Sequence, residues 1–136
     1  MSDFYANARS NYFKVKNPTK FKEFCQKYEL GIIENDKDKT KVGFTVDADK
    51  GRIPDGEANS KGDYVEINFA AKLAKHLVDG EVAIIIEAGS DSRMNYINGY
   101  AVAVNSNGRT VSVSTNDIYD KAKKAFKVKT ITAAER

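Results

Sequence analysis

The sequence predicts an α+β fold: a mainly antiparallel sheet in the order β-α-β-β-loop-α-β-β-β-α, with the helices packed on one face. Three observations predict it. Residues 81–87, 96–104 and 110–114 are short runs rich in β-branched and aromatic side chains, parted by Gly/Ser/Asn/Asp clusters, which is how consecutive antiparallel strands read. Segments opening on Asn17-Pro18 and on Asn68 carry apolar residues at helical spacing behind a good N-cap. Most connections are of hairpin length, and short connections favour antiparallel pairing with helices gathered on one side.

Taken in order, residues 1–10 show no periodic pattern and are expected to be a flexible N-terminal arm ahead of a single α+β domain over residues 11–132. Asn11 to Lys16 alternates, with Phe13 and Val15 on one face and Lys14 and Lys16 on the other, so a half-buried strand is expected. Asn17 caps a helix with Pro18 at its first position and Phe21, Phe24, Cys25 and Tyr28 inward; Gly31 is its expected stop. Residues 32–34 and 42–46 should pair as a hairpin. The stretch 47–63 has Gly51, Pro54, Gly56 and Gly62 among charges and little to bury, so it is expected to be an irregular loop whose sequence the core does not need. After a short extended piece at 64–67, Asn68 caps a second helix with Phe69, Ala70, Leu73, Ala74 and Leu77 inward, stopped by Asp79-Gly80. Asn107-Gly108 supplies turn residues between the last two runs. Asn116 should cap a final helix placing Ile118, Tyr119, Ala122, Ala125 and Phe126 on one face and lysines on the other, and residues 128–132 suit an edge strand.

Composition narrows the function classes. With 41% hydrophobic and 30% charged residues the 136-residue chain has enough to bury for one folded domain. The apolar run Val82 to Ile86 is too short to span a bilayer, and the N-terminus lacks a basic and an apolar region, so a cytoplasmic protein without a membrane anchor is expected. The single cysteine excludes an intramolecular disulfide, and with His76 the only histidine no His-based metal site can form. Asp47-Ala48-Asp49-Lys50-Gly51 resembles the start of a calcium loop, but Arg52 and Ala58 stand where that loop needs its glycine and its bidentate glutamate. No nucleophile elbow, P-loop or dinucleotide fingerprint occurs. Catalytic residues, metal and cofactor are all expected to be none, and the chain is expected not to be an enzyme. Cys25 reads as packing and His76 as a boundary or core residue.

Charge is uneven: +4 over residues 1–28, −6 over 29–91 and +5 over 92–136. The acidic members of the long loop, Asp47, Asp49, Asp55, Glu57 and Asp63, together with Arg93 in the Gly/Ser/Asp segment, are the candidates for binding a protein partner, the carboxylates facing a basic surface. The alternative is nucleic acid, with Lys14, Lys16, Lys20, Lys121 and Lys124 tracking a phosphate backbone beside aromatic residues.

Asn11-Tyr12-Phe13-Lys14-Val15, His76-Leu77-Val78-Asp79-Gly80-Glu81-Val82-Ala83, the run Gly99 to Gly108 and Asp117-Ile118-Tyr119 resemble a family of small proteins found on phages, plasmids and integrated elements, over residues 11 to about 126. The matching motifs are structural: strand, helix stop, hairpin turn, helix start. The resemblance implies the context of a mobile genetic element, whose accessory genes often encode compact binders that block host defence, of the anti-CRISPR or anti-restriction type. It carries over no activity and no functional residue.

Overall fold

The structure, a computed structural model, describes residues 4–48 and 51–135. It contains β1 (Phe4–Ser10), α1 (Pro18–Lys27), β2 (Leu30–Glu34), β3 (Val42–Val46), β4 (Gly56–Ala58), β5 (Tyr64–Glu66), α2 (Phe69–Ala74), β6 (Val82–Asp91), β7 (Ile97–Asn105), β8 (Thr110–Ser114) and α3 (Asp117–Phe126). Six strands form one antiparallel sheet in the order β2-β3-β1-β6-β7-β8, and β4 and β5 make a separate hairpin. The α+β class with an antiparallel sheet is as the sequence predicts.

The N-terminal residues are the main correction. Residues 4–10 are no arm: β1 lies in the middle of the sheet, paired with β6 from Phe4↔Asp91 to Ser10↔Ile85 and with β3 at Arg9↔Thr45. Its inward residues Ala6, Ala8 and Ser10 are small and buried, and for Ala6 the reason lies in the long loop, whose Gly51 lies directly on its backbone. Gly51, at φ +68°, sits so close to the Ala6 carbonyl that any side chain there would collide with it, and a Cβ on Gly89 would strike the Tyr5 carbonyl from the neighbouring strand. Strand residues chosen for close backbone approach lack the β-branched signature, so the pattern is silent.

The segment expected as the first strand is extended but changes partner at nearly every residue. Asn11 bonds β6, Phe13 exchanges two hydrogen bonds with Val42, Lys14 accepts from the Val78 amide, and Lys16 donates to the His76 carbonyl. Alternation correctly put Phe13 in the core; only the ladder is missing. Asn11 extends the sheet with its side chain, accepting from the Ile84 amide at 2.7 Å and donating to the Val82 carbonyl at 3.1 Å.

Both asparagine caps form: the Asn17 side chain accepts from the Lys20 amide and that of Asn68 from the Ala71 amide, each at 3.1 Å. Helix α1 ends before Gly31. Glu29 takes the left-handed turn at φ 56°, leaving Gly31 inside β2, where the Asp47 and Thr45 side chains fill the space a Cβ would need. α2 stops at Ala74, and Leu77 is buried beside Val15 instead. Between them α1 and α2 bring Phe21, Phe24, Cys25, Phe69 and Leu73 onto the inner face of the sheet, where they meet Phe13, Phe44, Ile85 and Val104. Phe13 stands edge-on to Phe21 and Phe44, and Phe69 bridges Phe44 and Phe24, so one aromatic cluster joins both helices to the sheet.

The expected packing of helices on one face holds for α1 and α2 but not for α3, none of whose residues is buried. Nor does Asn116 cap α3 with its side chain; Asp117 instead accepts from the Ser114 amide, and Asp117 and Asp120 at the start with Lys123 and Lys124 at the end complement the helix dipole. Residues 128–132 form no strand, and the tail meets the residue before β7 in the bridge Tyr96↔Glu135.

Candidate functional site

The long loop is organised rather than irregular, and most of its carboxylates are occupied. Its hairpin folds over the C-terminal end of α1, enclosing a cleft of about 480 Å³ lined by Lys27, Tyr28, Arg52, Asp55, Glu57 and Tyr64 among others. Glu57 accepts from the Tyr28 hydroxyl at 3.0 Å and pairs with the Lys27 ammonium at 2.9 Å. Those two donors hold the Glu57 carboxyl below its ordinary range, and the bond to Glu57 raises Lys27 in turn. Burial, and then the bond to Glu57, raises the Tyr28 phenol. Asp55 accepts a short hydrogen bond from the Tyr64 hydroxyl, which raises that phenol too. Arg52 rests on the Phe4 ring at 5.3 Å, and the Ile53 amide donates to Glu87 at 2.6 Å, pinning the loop to β6. The cleft's polar groups are therefore largely spent on one another and on the fold.

Of the remaining acidic candidates, Asp47 accepts from the Thr45 hydroxyl at 2.9 Å, and Asp63 is exposed beside the turn at Asn59. Asp49 lies outside the described residues. Arg93 is exposed in the β6–β7 connection and enters no ion pair among the described residues. That connection is built on Asp91, only 3% exposed, whose carboxylate accepts from the Asn95 amide group at 2.8 Å and the Tyr96 backbone. So the sequence candidates form no common site: Glu57 and Asp55 are structural, while Asp63 and Arg93 stand exposed on separate connections and enter no ion pair among the described residues.

The basic candidates also divide. Lys14, Lys16 and Lys20 are exposed around the entry to α1, whereas Lys121 and Lys124 are exposed on α3, which follows the edge strand β8. The aromatic residues interleaved with the first set, Phe13 and Phe21, are 0% and 1% exposed, so they offer no base-stacking platform. Tyr12 lies under the Arg9 guanidinium at 5.6 Å.

Cys25 and His76 sit where the sequence reading puts them. Burial drives the Cys25 thiol up to about 12, leaving it without nucleophilic character. His76 packs against Phe24 and Phe21, with ring centres 4.7 and 6.0 Å away; burial and then the charge of Lys20 hold its pKa down. Among the described residues no group of three His, Cys, Asp or Glu side chains is placed to hold a metal ion, and no helix is long and apolar enough to cross a membrane.

Two surfaces escaped the residue-by-residue reading because it assumed that apolar faces are covered. On α3, Ile118 and Phe126 are 60% and 74% exposed, with Ala122 between them one turn from each. On the outer face of the sheet, Ile84, Ile86, Val111 and Val113 are all exposed, and no helix packs there. Comparison with protein-family models, curated proteins and solved structures finds no match to this chain, so the resemblance to phage and plasmid proteins gains no support from them.

Proposed function

We propose that this chain is a non-enzymatic binding protein that acts by protein–protein contact, offering the apolar stripe of α3 to a groove on its partner. The single observation that supports the reading is that stripe. Ile118, Ala122 and Phe126 follow at i, i+4 and i+8 on a helix with no buried residue, the pattern by which an amphipathic helix enters a hydrophobic groove. Exposed apolar side chains of this size on a small domain mark contact sites. Lys121, Lys123, Lys124 and Lys127 flank the stripe and suit a groove with an acidic rim, adding association rate more than affinity. Arg93 and Asp63 are further exposed charges open to a partner. The partner class we propose is the one the family resemblance implies: a host defence protein, inhibited on behalf of a phage or plasmid.

Nucleic-acid binding is the second reading, favoured by the same α3 lysines. The two separate in one experiment that compares the full chain with an Ile118→Ser/Phe126→Ser variant and a Lys121→Gln/Lys124→Gln variant, in capture from a lysate of the cell carrying the gene and in binding to mixed-sequence DNA and RNA. Partner capture lost by the serine variant and only slowed by the glutamine variant supports the protein-groove reading. Micromolar nucleic-acid binding that falls steeply with salt, is abolished in the glutamine variant and is untouched in the serine variant would replace it.

A further inference from the structure

We propose that the cleft between α1 and the β4–β5 hairpin is a binding site for a lysine side chain of a partner protein, and that the chain's own Lys27 fills it in the free protein. The site lies apart from α3 and does not rest on the role given to that helix.

The groups around the cleft favour a cation. Glu29, Asp55 and Glu57 line it against Lys27 and Arg52, and the Arg52 guanidinium is drawn onto the Phe4 ring. The cleft also opens at the C-terminal end of α1, where the helix dipole is negative. The Tyr28 ring completes the seat. The Lys27 ammonium stands 5.4 Å from the ring centre and 2.9 Å from Glu57 Oε2, and a ring face attracts a cation out to about 6 Å. The seat is thus seen with an ammonium in it.

Lys27 is placed to give way. Its side chain is 59% exposed against 24% for Glu57, so the ammonium already stands largely in water and loses little hydration or contact on leaving. Exposed ion pairs are so weak that Lys27 weakens the binding of an incoming ammonium by no more than about five-fold. Its departure leaves the hairpin anchored: the Tyr28 hydroxyl still donates to Glu57 at 3.0 Å, Tyr64 to Asp55, and the Ile53 amide to Glu87. With Lys27 turned out to solvent, the three carboxylates of the lining face one cation, Arg52, in place of two. Among the bonds that engage the polar groups of the cleft, the one to Lys27 is therefore the exchangeable one.

The rest of the lining suits the stem of a lysine. Ala48, Ile53, Pro54 and Ala58 supply aliphatic wall for its methylenes, and the cleft's volume of about 480 Å³ lies within the range of ligand clefts, ~300–1,000 Å³. A lysine carries its charge at the end of such a stem, so it reaches Glu57 while its own backbone stays at the mouth. Lys27 and the Tyr28 hydroxyl meet on the same oxygen, Glu57 Oε2, which suits a compact ammonium better than the flat fork of a guanidinium.

A two-dimensional NMR titration of the full chain with Nα-acetyl-lysine N-methylamide at fixed ionic strength tests this. The expected result is a set of shifts centred on the Tyr28, Glu57 and Tyr64 amides with a dissociation constant on the order of 10 mM. Lys27→Met, which removes the internal occupant and keeps its stem, should tighten binding about 3- to 5-fold. Glu57→Gln, which keeps an acceptor for the Tyr28 hydroxyl, should weaken it about 5-fold or more. The Nζ-acetylated probe has lost its charge and should not bind; it leaves the protein untouched and decides the question if Glu57→Gln does not fold. Binding that is indifferent to Lys27→Met, that the acetylated probe shares, or that maps outside the cleft overturns the proposal. So does the absence of binding to the Lys27→Met chain at about 100 mM probe. Pentylamine binding about ten times tighter than the lysine probe overturns it in favour of a free amine.

Discussion

Ser10→Ala should cost about 2 kcal/mol, far more than the loss of one oxygen atom suggests. Ser10 is 2% exposed in the middle of the sheet, where β1 turns away from its neighbour β3. Its hydroxyl accepts from the Phe44 amide at 2.8 Å and donates to the Asn11 carbonyl at 2.7 Å, so one side chain replaces the missing ladder bond between the strands. The crossing is tight: a Cβ on Gly43 would lie 2.5 Å from the Asn11 carbonyl oxygen, which leaves no room for a replacement water. Removing the hydroxyl strands a buried N–H, and an unsatisfied buried donor costs about 1–3 kcal/mol. For a domain of this length each kcal/mol lowers Tm by roughly 3–4 °C, so the variant should melt about 7 °C below wild type. Asn7→Ser, on the exposed face of the same strand, is the control and should stay within about 0.5 kcal/mol. Calorimetry gives the Tm, and hydrogen exchange of the Phe44 amide reads the lost bond directly. If Ser10→Ala melts within about 2 °C of wild type and the Phe44 amide stays protected, the hydroxyl is not what joins these strands.

Two ionisable groups, the half-buried His76 and the buried Cys25, give further tests. His76 is held below its ordinary 6.5 by burial against Phe21 and Phe24, so as pH falls through 6.5 the unfolded chain takes up a proton that the folded one resists. Stability must then fall with pH between 6.5 and the depressed value and level off below it, and Tm curves from pH 7.5 to 5.5 should be steeper for wild type than for His76→Gln; parallel curves would mean the imidazole is solvated. Cys25, with its pKa near 12, is ionised to only about one part in ten thousand at pH 8, so a disulfide reagent should find almost no thiol in the native protein over an hour and one per chain in denaturant. Stoichiometric labelling of the native chain within minutes would contradict that burial.

The parts of the fold legible in the sequence were those whose stability is local. Asn17-Pro18 and Asn68 could be placed as caps because a capping side chain and its amide lie three residues apart, and the β6–β7–β8 meander could be placed because its strands follow one another with short turns. What failed to show depended on distant partners. Nothing in Phe4-Tyr5-Ala6-Asn7-Ala8-Arg9-Ser10 announces a central strand, since Ala6 answers to Gly51 and Gly89, some 40 and 80 residues away. Likewise Glu57 read as a free loop carboxylate because Lys27 and Tyr28 are brought to it only by the tertiary fold.

One signal for the uncovered surface was present all along. A strand covered on one side alternates apolar and polar residues, whereas a strand buried on both sides reads as a continuous apolar run. Val82-Ala83-Ile84-Ile85-Ile86 is continuous, yet only Ala83 and Ile85 are buried within one copy of the chain. The partner strands repeat the mismatch: Val111 and Val113 stand exposed on β8 where serine and threonine occupy the inner positions Thr110, Ser112 and Ser114. On β8 the more apolar side is the one facing water, the reverse of what a solvated edge strand requires. The outer face thus carries apolar positions that α1 and α2, both packed on the inner face, do not cover, while α3 buries none of its own residues.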